Sequence, residues 1–225
     1  MALTELPNTD RLGDAVYNRI RDAIISGELK PGTPLRVPAI AQDLGVSRSP
    51  VREAIIRLTG ERLAHSEPRL GAMVAKVKRQ DLADLYEIRE VLEGLAARLA
   101  AASTNFGPIA DLKEILHKHD NAVSQGNIDE HIELDLSFHR LVRQMAGNKE
   151  LELLLNHIES QVRLAMLTIT VSSGPHIALG EHKSIYKAIQ SRDPNGAEKA
   201  ARAHIARLHD TLMNETNQTI QAEIQ

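Results

Sequence analysis

Three histidines and one aspartate are placed so that they could hold a divalent metal ion. Asp135 and His139 are four residues apart, which puts both side chains on one face of a helix. His182 and His204 each fall in line with apolar residues of a later helical pattern. One inward histidine is also explained as a core residue with hydrogen-bond partners, but four converging polar groups need the compensation that a cation provides. Three imidazoles and a carboxylate suit zinc, nickel or a similar transition ion.

Arg89 places a charge on an otherwise apolar stripe, in line with residues such as Leu92. A buried arginine is costly unless it is paired. One interpretation is an ion pair with Asp135 or Glu93, or a side chain that reaches out at a dimer surface. The other is an arginine reserved for the carboxylate of a small ligand, which its planar fork binds at two points. Gln161 is a second candidate contact for such a ligand.

Short hydroxyls and arginines open a helix that follows the turn at Gly45. A helix that enters the major groove of DNA contacts it with its N-terminal residues. Ser47 and Ser49 can bond phosphates or base edges there. Arg48 and Arg52 lie one turn apart and can project together, as phosphate clamps or as readers of guanine. Any single arginine is also explained as a solvated surface charge.

Four further residues are candidate DNA contacts. Arg57 lies later in the same helix, and Arg36, before the preceding helix, is expected to contact the DNA backbone. Arg69 and Gly71 belong to a predicted hairpin, where the arginine could enter the minor groove and the glycine would allow close backbone approach.

The elements that must position these groups follow from apolar periodicity and from Pro and Gly breaks. The pattern predicts a mainly α protein. Residues 11–78 are expected to form three helices and a small β-hairpin, a winged helix-turn-helix whose second strand covers 72–77. Residues 79–216 are expected to form an all-α helical bundle. A flexible N-terminal tail is predicted at residues 1–10 and a C-terminal tail at residues 217–225.

Composition narrows the class of protein. Residues 1–79 carry a net charge of +4 and residues 80–225 one of −7, so that only the first part suits a polyanion. There is no cysteine, which excludes disulfides and thiolate metal sites. No apolar stretch approaches a membrane span, and the N-terminus lacks a signal-peptide pattern. A cytoplasmic protein with no membrane partner is expected.

The segment AQDLGVSRSPVREAI resembles the helix-turn-helix of GntR-family regulators, whose pattern reads LGVSR-[ST]-PVREAL. The likeness continues upstream in ISGELKPGT and downstream in LGAMV, and covers about residues 11–77. It implies that Arg48 and Arg52 contact DNA.

The rest of the chain, residues 81–215, resembles the FadR-like C-terminal ligand-sensing domain known as the FCD domain. Metal-binding members carry Asp-x-x-x-His on one helix and single histidines on two later helices. The matching residues here are Asp135, His139, His182 and His204. The resemblance implies a metal ion in the domain and a small organic acid whose carboxylate contacts it. Arg89 matches an inward arginine of the family and is expected to contact this effector.

The sequence thus predicts a transcription regulator and not an enzyme. It is expected to repress by binding a pseudo-palindromic operator as a homodimer, under the control of a carboxylate effector bound at the metal site. One alternative is a metal-dependent hydrolase fused to a DNA-binding module, although no paired general base accompanies the ligands. Another is a sensor of the metal ion itself, without an organic effector.

Overall fold

The structure is a computed structural model that describes residues 10–104, 107–166 and 174–224. The chain divides into two compact units. The first unit extends to Lys78 and also includes the end of a later helix from Ser160, which the sequence assigned to the second domain. Most of the predicted N-terminal tail lies outside the described residues, and the first helix begins at Asp10.

The first unit is built from three helices and a two-stranded antiparallel sheet. Its elements are α1 (Asp10–Ile25), α2 (Val37–Asp43), α3 (Arg48–Gly60), β1 (Ala64–Glu67) and β2 (Gly71–Val74). The apolar stripe of α1, which includes Ile20 and Ile24, is buried with Val51 and Leu58 of α3. Pro38 lies in the first turn of α2, where its missing N–H leaves no hydrogen bond unmade.

The hairpin differs from its prediction in two respects. β2 ends at Val74 and not at residue 77, because β1 begins with Ala64, the partner of Val74. On its other edge, β2 pairs with the segment before α2 through a bridge between Pro34 and Met73. This bridge went unpredicted because proline disfavours strands. Here the backbone bonds are made by the neighbours of Pro34, so its missing N–H is not needed.

The described residues of the second unit form helices and the short connections between them. Its helices are α4 (Arg79–Ala102), α5 (Ile109–Ser124), α6 (Ile128–Ala146), α7 (Lys149–Met166), α8 (Pro175–Gln190) and α9 (Pro194–Ile224), with the end of α7 grouped in the first unit. α4 packs against α6, α8 and α9, and α5 packs against α6 and α8. Gly94 is buried in α4, and a Cβ there would lie 2.5 Å from Cγ of Arg202 in α9. The two helices therefore approach closely at that point.

The prediction of a mainly α protein with a small hairpin is confirmed. The C-terminal tail is a correction, because α9 continues to Ile224 and residues 217–224 are helical. No glycine or proline follows Gly196 to stop the helix, although its apolar stripe fades after Leu212. Within the described residues, no helix combines the length and the apolarity that a membrane span requires.

Candidate functional site

Four predicted metal ligands come together in the second unit. Asp135 and His139 lie on α6, His182 on α8 and His204 on α9. One ligand atom from each side chain lies within 4.8 Å of the others. The three histidines are buried, and Asp135 is partly exposed. The four residues thus lie on helix faces that pack together, as their spacing in the sequence predicted.

The distances between these atoms fit a single cation. Nε2 of His204 lies 3.3 Å from Nε2 of His139 and 3.3 Å from Nε2 of His182. Nε2 of His182 lies 3.5 Å from Oδ1 of Asp135. A tetrahedral ion with Zn–N bonds of about 2.0–2.1 Å separates its ligand atoms by about 3.3–3.4 Å. These three pairs of donor atoms are therefore spaced as such an ion requires, and the other pairs lie within 4.8 Å of one another.

Burial favours the neutral form of His182 and His204, which is the form that binds metals. It holds the pKa of His182 well below its usual range, and the neighbouring His204 and His139 lower that pKa further. Burial also lowers the pKa of His204, although its hydrogen bond to Glu181 acts in the opposite direction. A neutral histidine has a lone pair available for a cation, so these two side chains are suited to hold one.

A second pair of histidines beside the cluster was missed by the sequence analysis. Nε2 of His119 lies 2.6 Å from Nδ1 of His131, and the His119 ring centroid is 5.6 Å from that of His182. Burial lowers the pKa of His119 to about 4. The signal was present, because His119 follows Leu116 and precedes Val123 at helical spacing.

The inward face of α6 carries more than the two candidate ligands. His131 and Phe138 are buried on this helix together with His139 and Val142. Ile128, in the first turn, is apolar but exposed.

Arg89 is buried in α4 as its stripe predicted, and it faces a carboxylate. Its Nε lies 3.5 Å from Oε1 of Glu93, one of the partners anticipated from the sequence. The same Glu93 oxygen lies 2.5 Å from Arg143, whose other terminal nitrogen contacts Glu159. Burial alone would raise the pKa of Glu93, but Arg143 and His139 hold it well below its usual range. Arg143 is thus the main partner of Glu93, and Arg89 is the weaker one.

The predicted DNA contacts lie on the surface of the first unit. Ser47, Arg48, Ser49 and Arg52 are exposed at the start of α3. Ser47 is the N-cap residue, yet its hydroxyl makes no capping hydrogen bond. Arg36 and Arg52 line one surface pocket together with Gly71 of the hairpin. Three of the predicted contacts from α2, α3 and the hairpin therefore share one face of the unit.

The remaining three predicted residues differ from one another in exposure and in their contacts. Arg57 bonds Asp14 at 2.6 Å and stacks on the Tyr17 ring, with Cζ 3.9 Å from the ring centroid, so it is engaged within its own unit. Arg69 is exposed in the hairpin turn with a positive φ of 68°. Gln161 is buried near the end of α7, in the part grouped with the first unit, and its role stays a prediction.

Comparison with known families gives two matches. The model described as "FCD domain" matches residues 84–207. The model described as "Bacterial regulatory proteins, gntR family" matches residues 12–74. Together they cover most of both units.

Similar proteins span nearly the whole chain. The HTH-type transcriptional repressor RspR of Escherichia coli (strain K12) is 29% identical over 210 residues, which are 93% of this chain and 92% of the relative. The probable D-xylose utilization operon transcriptional repressor of Paenarthrobacter nicotinovorans is 32% identical over 205 residues, covering 85% and 86%. The solved structure of E. coli McbR/YncC superposes with a TM-score of 0.76 at 23% identity, over 91% of this chain and 98% of that one. A putative GntR regulator from Rhodococcus sp. RHA1 gives 0.75 at 24% identity, over the same shares. These two structures have the same fold.

Proposed function

Because the chain belongs to the GntR family of DNA-binding transcription regulators and carries an FCD domain, we propose that it is a cytoplasmic repressor controlled by a small organic acid. It binds a pseudo-palindromic operator as a homodimer, and the effector binds at a divalent metal ion in the second unit. The observation that carries this proposal is the convergence of Asp135, His139, His182 and His204 in a chain whose first unit exposes arginines at the start of α3.

The first unit supplies the contacts to DNA. The exposed start of α3 enters the major groove, where Arg48 and Arg52 contact base edges and phosphates. Arg36 contacts the backbone from the start of α2, and the hairpin brings Arg69 and Gly71 to the minor groove. The net charge of +4 over residues 1–79 favours this approach to a polyanion.

The second unit supplies the sensor. Asp135, His139, His182 and His204 hold the ion, most simply zinc, with nickel as the alternative. When bound, the ion supplies a positive charge and a position at which a carboxylate oxygen of the effector can coordinate. Arg89 contacts the same effector, since its only anionic partner among the described residues, Glu93, is held more closely by Arg143. The effector changes operator affinity only as far as it distinguishes two conformations of the protein.

An exposed apolar stripe supports the homodimer. Ile88 and Val91 of α4 are each 53% exposed, and Leu95, one turn further, is 37% exposed. Their spacing of three and four residues puts them on one face of the helix. A contiguous apolar face of this kind is suited to burial against a second copy of the chain.

The two alternative functions, a fused hydrolase and a metal-ion sensor, are not equally supported. The family and the relatives are transcription regulators and not enzymes, so the fused hydrolase is set aside. A sensor of the metal ion itself would use the same ligands. The binding experiment below distinguishes it from an effector-controlled repressor.

The effector should weaken operator binding only in metal-loaded protein. Carboxylic acids are first screened by thermal shift with and without a chelator, because a ligand at a hundredfold its dissociation constant stabilises by about 2.7 kcal/mol. Anisotropy of a labelled duplex, selected from random DNA by the wild-type protein, then reports release. Arg89→Met should abolish the response and keep operator affinity, whereas Arg98→Met, at an exposed position of α4, should behave as wild type.

Two results would change this assignment. Release by the acid from chelator-treated protein would remove the metal from the sensing mechanism. If operator affinity depends on the zinc concentration with no acid present, the protein is a metal sensor.

His182 should be essential for the metal ion. Wild-type protein is expected to retain one equivalent of zinc per chain and to melt at a higher temperature with zinc than after chelation. His182→Gln removes a buried ligand and should lose both effects, because three ligands hold the ion far more weakly than four. The control is His176→Gln, an exposed histidine of the same helix. Elemental analysis after gel filtration measures occupancy, and equal zinc content in the two variants would contradict the site.

A further inference from the structure

Glu181 lies between one of the predicted metal ligands and an arginine. Its Oε2 is 2.7 Å from Nδ1 of His204, and its Oε1 is 2.6 Å from Nε of Arg207. A terminal nitrogen of Arg207 lies 2.8 Å from Oε2 as well, so that the arginine grips the carboxylate at two points. Glu181 belongs to α8, while His204 and Arg207 lie one turn apart on α9.

This contact decides which nitrogen of His204 carries the proton. A carboxylate held by an arginine accepts hydrogen bonds, so Nδ1 of His204 donates to Glu181. Nε2 then presents its lone pair, and this is the atom 3.3 Å from Nε2 of both His139 and His182. The orientation and the tautomer of the ring are therefore both suited to a cation at the cluster.

The other two histidines have no partner as close as Glu181 within the described chain. Nδ1 of His139 lies 3.6 Å from Oε2 of Glu93, which is longer than a hydrogen bond. Nδ1 of His182 is buried without a partner, and its ring stacks on Phe138 with centroids 4.3 Å apart. Packing thus orients His182, whereas a charged hydrogen bond orients His204.

We propose that Glu181, held in place by Arg207, is a positioning residue that fixes the tautomer and orientation of His204 for the metal ion. The proposal rests on the metal site of the proposed function. The carboxylate also increases the electron density on the imidazole, and loss of such an outer partner lowers metal affinity by about 10- to 100-fold. Glu181 was missed in the sequence because its partners, His204 and Arg207, lie on another helix.

Two variants separate the charge of Glu181 from its hydrogen bond. Glu181→Gln keeps an acceptor and removes the charge, and it should weaken zinc binding about tenfold. Glu181→Met removes both and should weaken it up to about a hundredfold. Competition with a chromophoric chelator measures the affinity of the full-length protein. Long-range proton–nitrogen correlation on metal-free, histidine-labelled protein reports whether Nδ1 of His204 is protonated, which we expect in wild type and Glu181→Gln and not in Glu181→Met.

The matched control is Glu198→Gln, which alters another carboxylate that pairs with arginines and should leave zinc affinity unchanged. Wild-type protein that binds no zinc overturns both the metal site and this proposal. Wild-type binding with unchanged affinity in Glu181→Met overturns the proposal alone. Equal affinities in Glu181→Gln and Glu181→Met, with a lowered melting temperature of both metal-free proteins and Nδ1 still protonated, would make Glu181 a packing residue and likewise overturn it.

Discussion

Replacing both Arg48 and Arg52 with alanine should weaken operator binding by about a thousandfold, since each of the two arginines contributes roughly 2 kcal/mol to binding. Both side chains are exposed near the start of α3, and neither pairs with any residue that the structure describes. The substitutions therefore remove interactions with DNA and leave those inside the unit intact. The plot of log affinity against log salt should also become shallower, by about one unit for each phosphate that an arginine no longer neutralises.

Fluorescence anisotropy of the selected duplex at several salt concentrations measures both effects. The charge-matched control is Arg98→Ala/Arg202→Ala in the second unit, where the arginines pair with Glu198 and Glu90. It removes the same net charge and should change affinity only slightly. If the two double variants bind equally well with the same salt dependence, α3 is not the element that reads DNA.

The helices and strands were largely predictable because short sequence signals mark where they begin and end. Asn127 accepts a hydrogen bond from the backbone of Glu130 at the start of α6, and Gly147 ends that helix in a left-handed conformation. The end of α9 was not predictable in this way, because residues after Leu212 contain neither a stop signal nor a clear apolar stripe. The bridge at Pro34 depends on a partner far along the chain, which no local pattern reveals.

The candidate ligands were easier to predict than their surroundings. Asp135 and His139 share a helix, so their spacing alone relates them. What faces each ligand comes from another helix, as Glu181 of α8 faces His204 of α9. Arg57 likewise has a partner from another helix. Its position in α3 favoured DNA contact, but the sequence did not reveal that it stacks on the Tyr17 ring of α1.

Arg143 should be among the residues on which the stability of the second unit depends most. Its side chain is 1% exposed and bonds both Glu93 and Glu159, of which Glu93 is itself 1% exposed. Arg143→Met should lower the free energy of unfolding by about 3–5 kcal/mol, because it leaves a buried carboxylate without its nearest cation. The weaker interaction with Arg89, at 3.5 Å, offsets only part of this destabilisation.

Arg140 provides a matched comparison, because it bonds the same Glu159 at 3.0 Å from a side chain that is 48% exposed. Arg140→Met should lower the free energy of unfolding by only about 0–1 kcal/mol, as is usual for a solvated ion pair. Urea unfolding of the metal-free proteins, followed by circular dichroism, measures both changes. The two substitutions are chemically identical and share a partner, so burial of the arginine and its bond to Glu93 are what separate them. Equal destabilisation would mean that Glu93 finds compensation elsewhere, from Arg89 or from water, and that Arg143 is not the cation that keeps it charged.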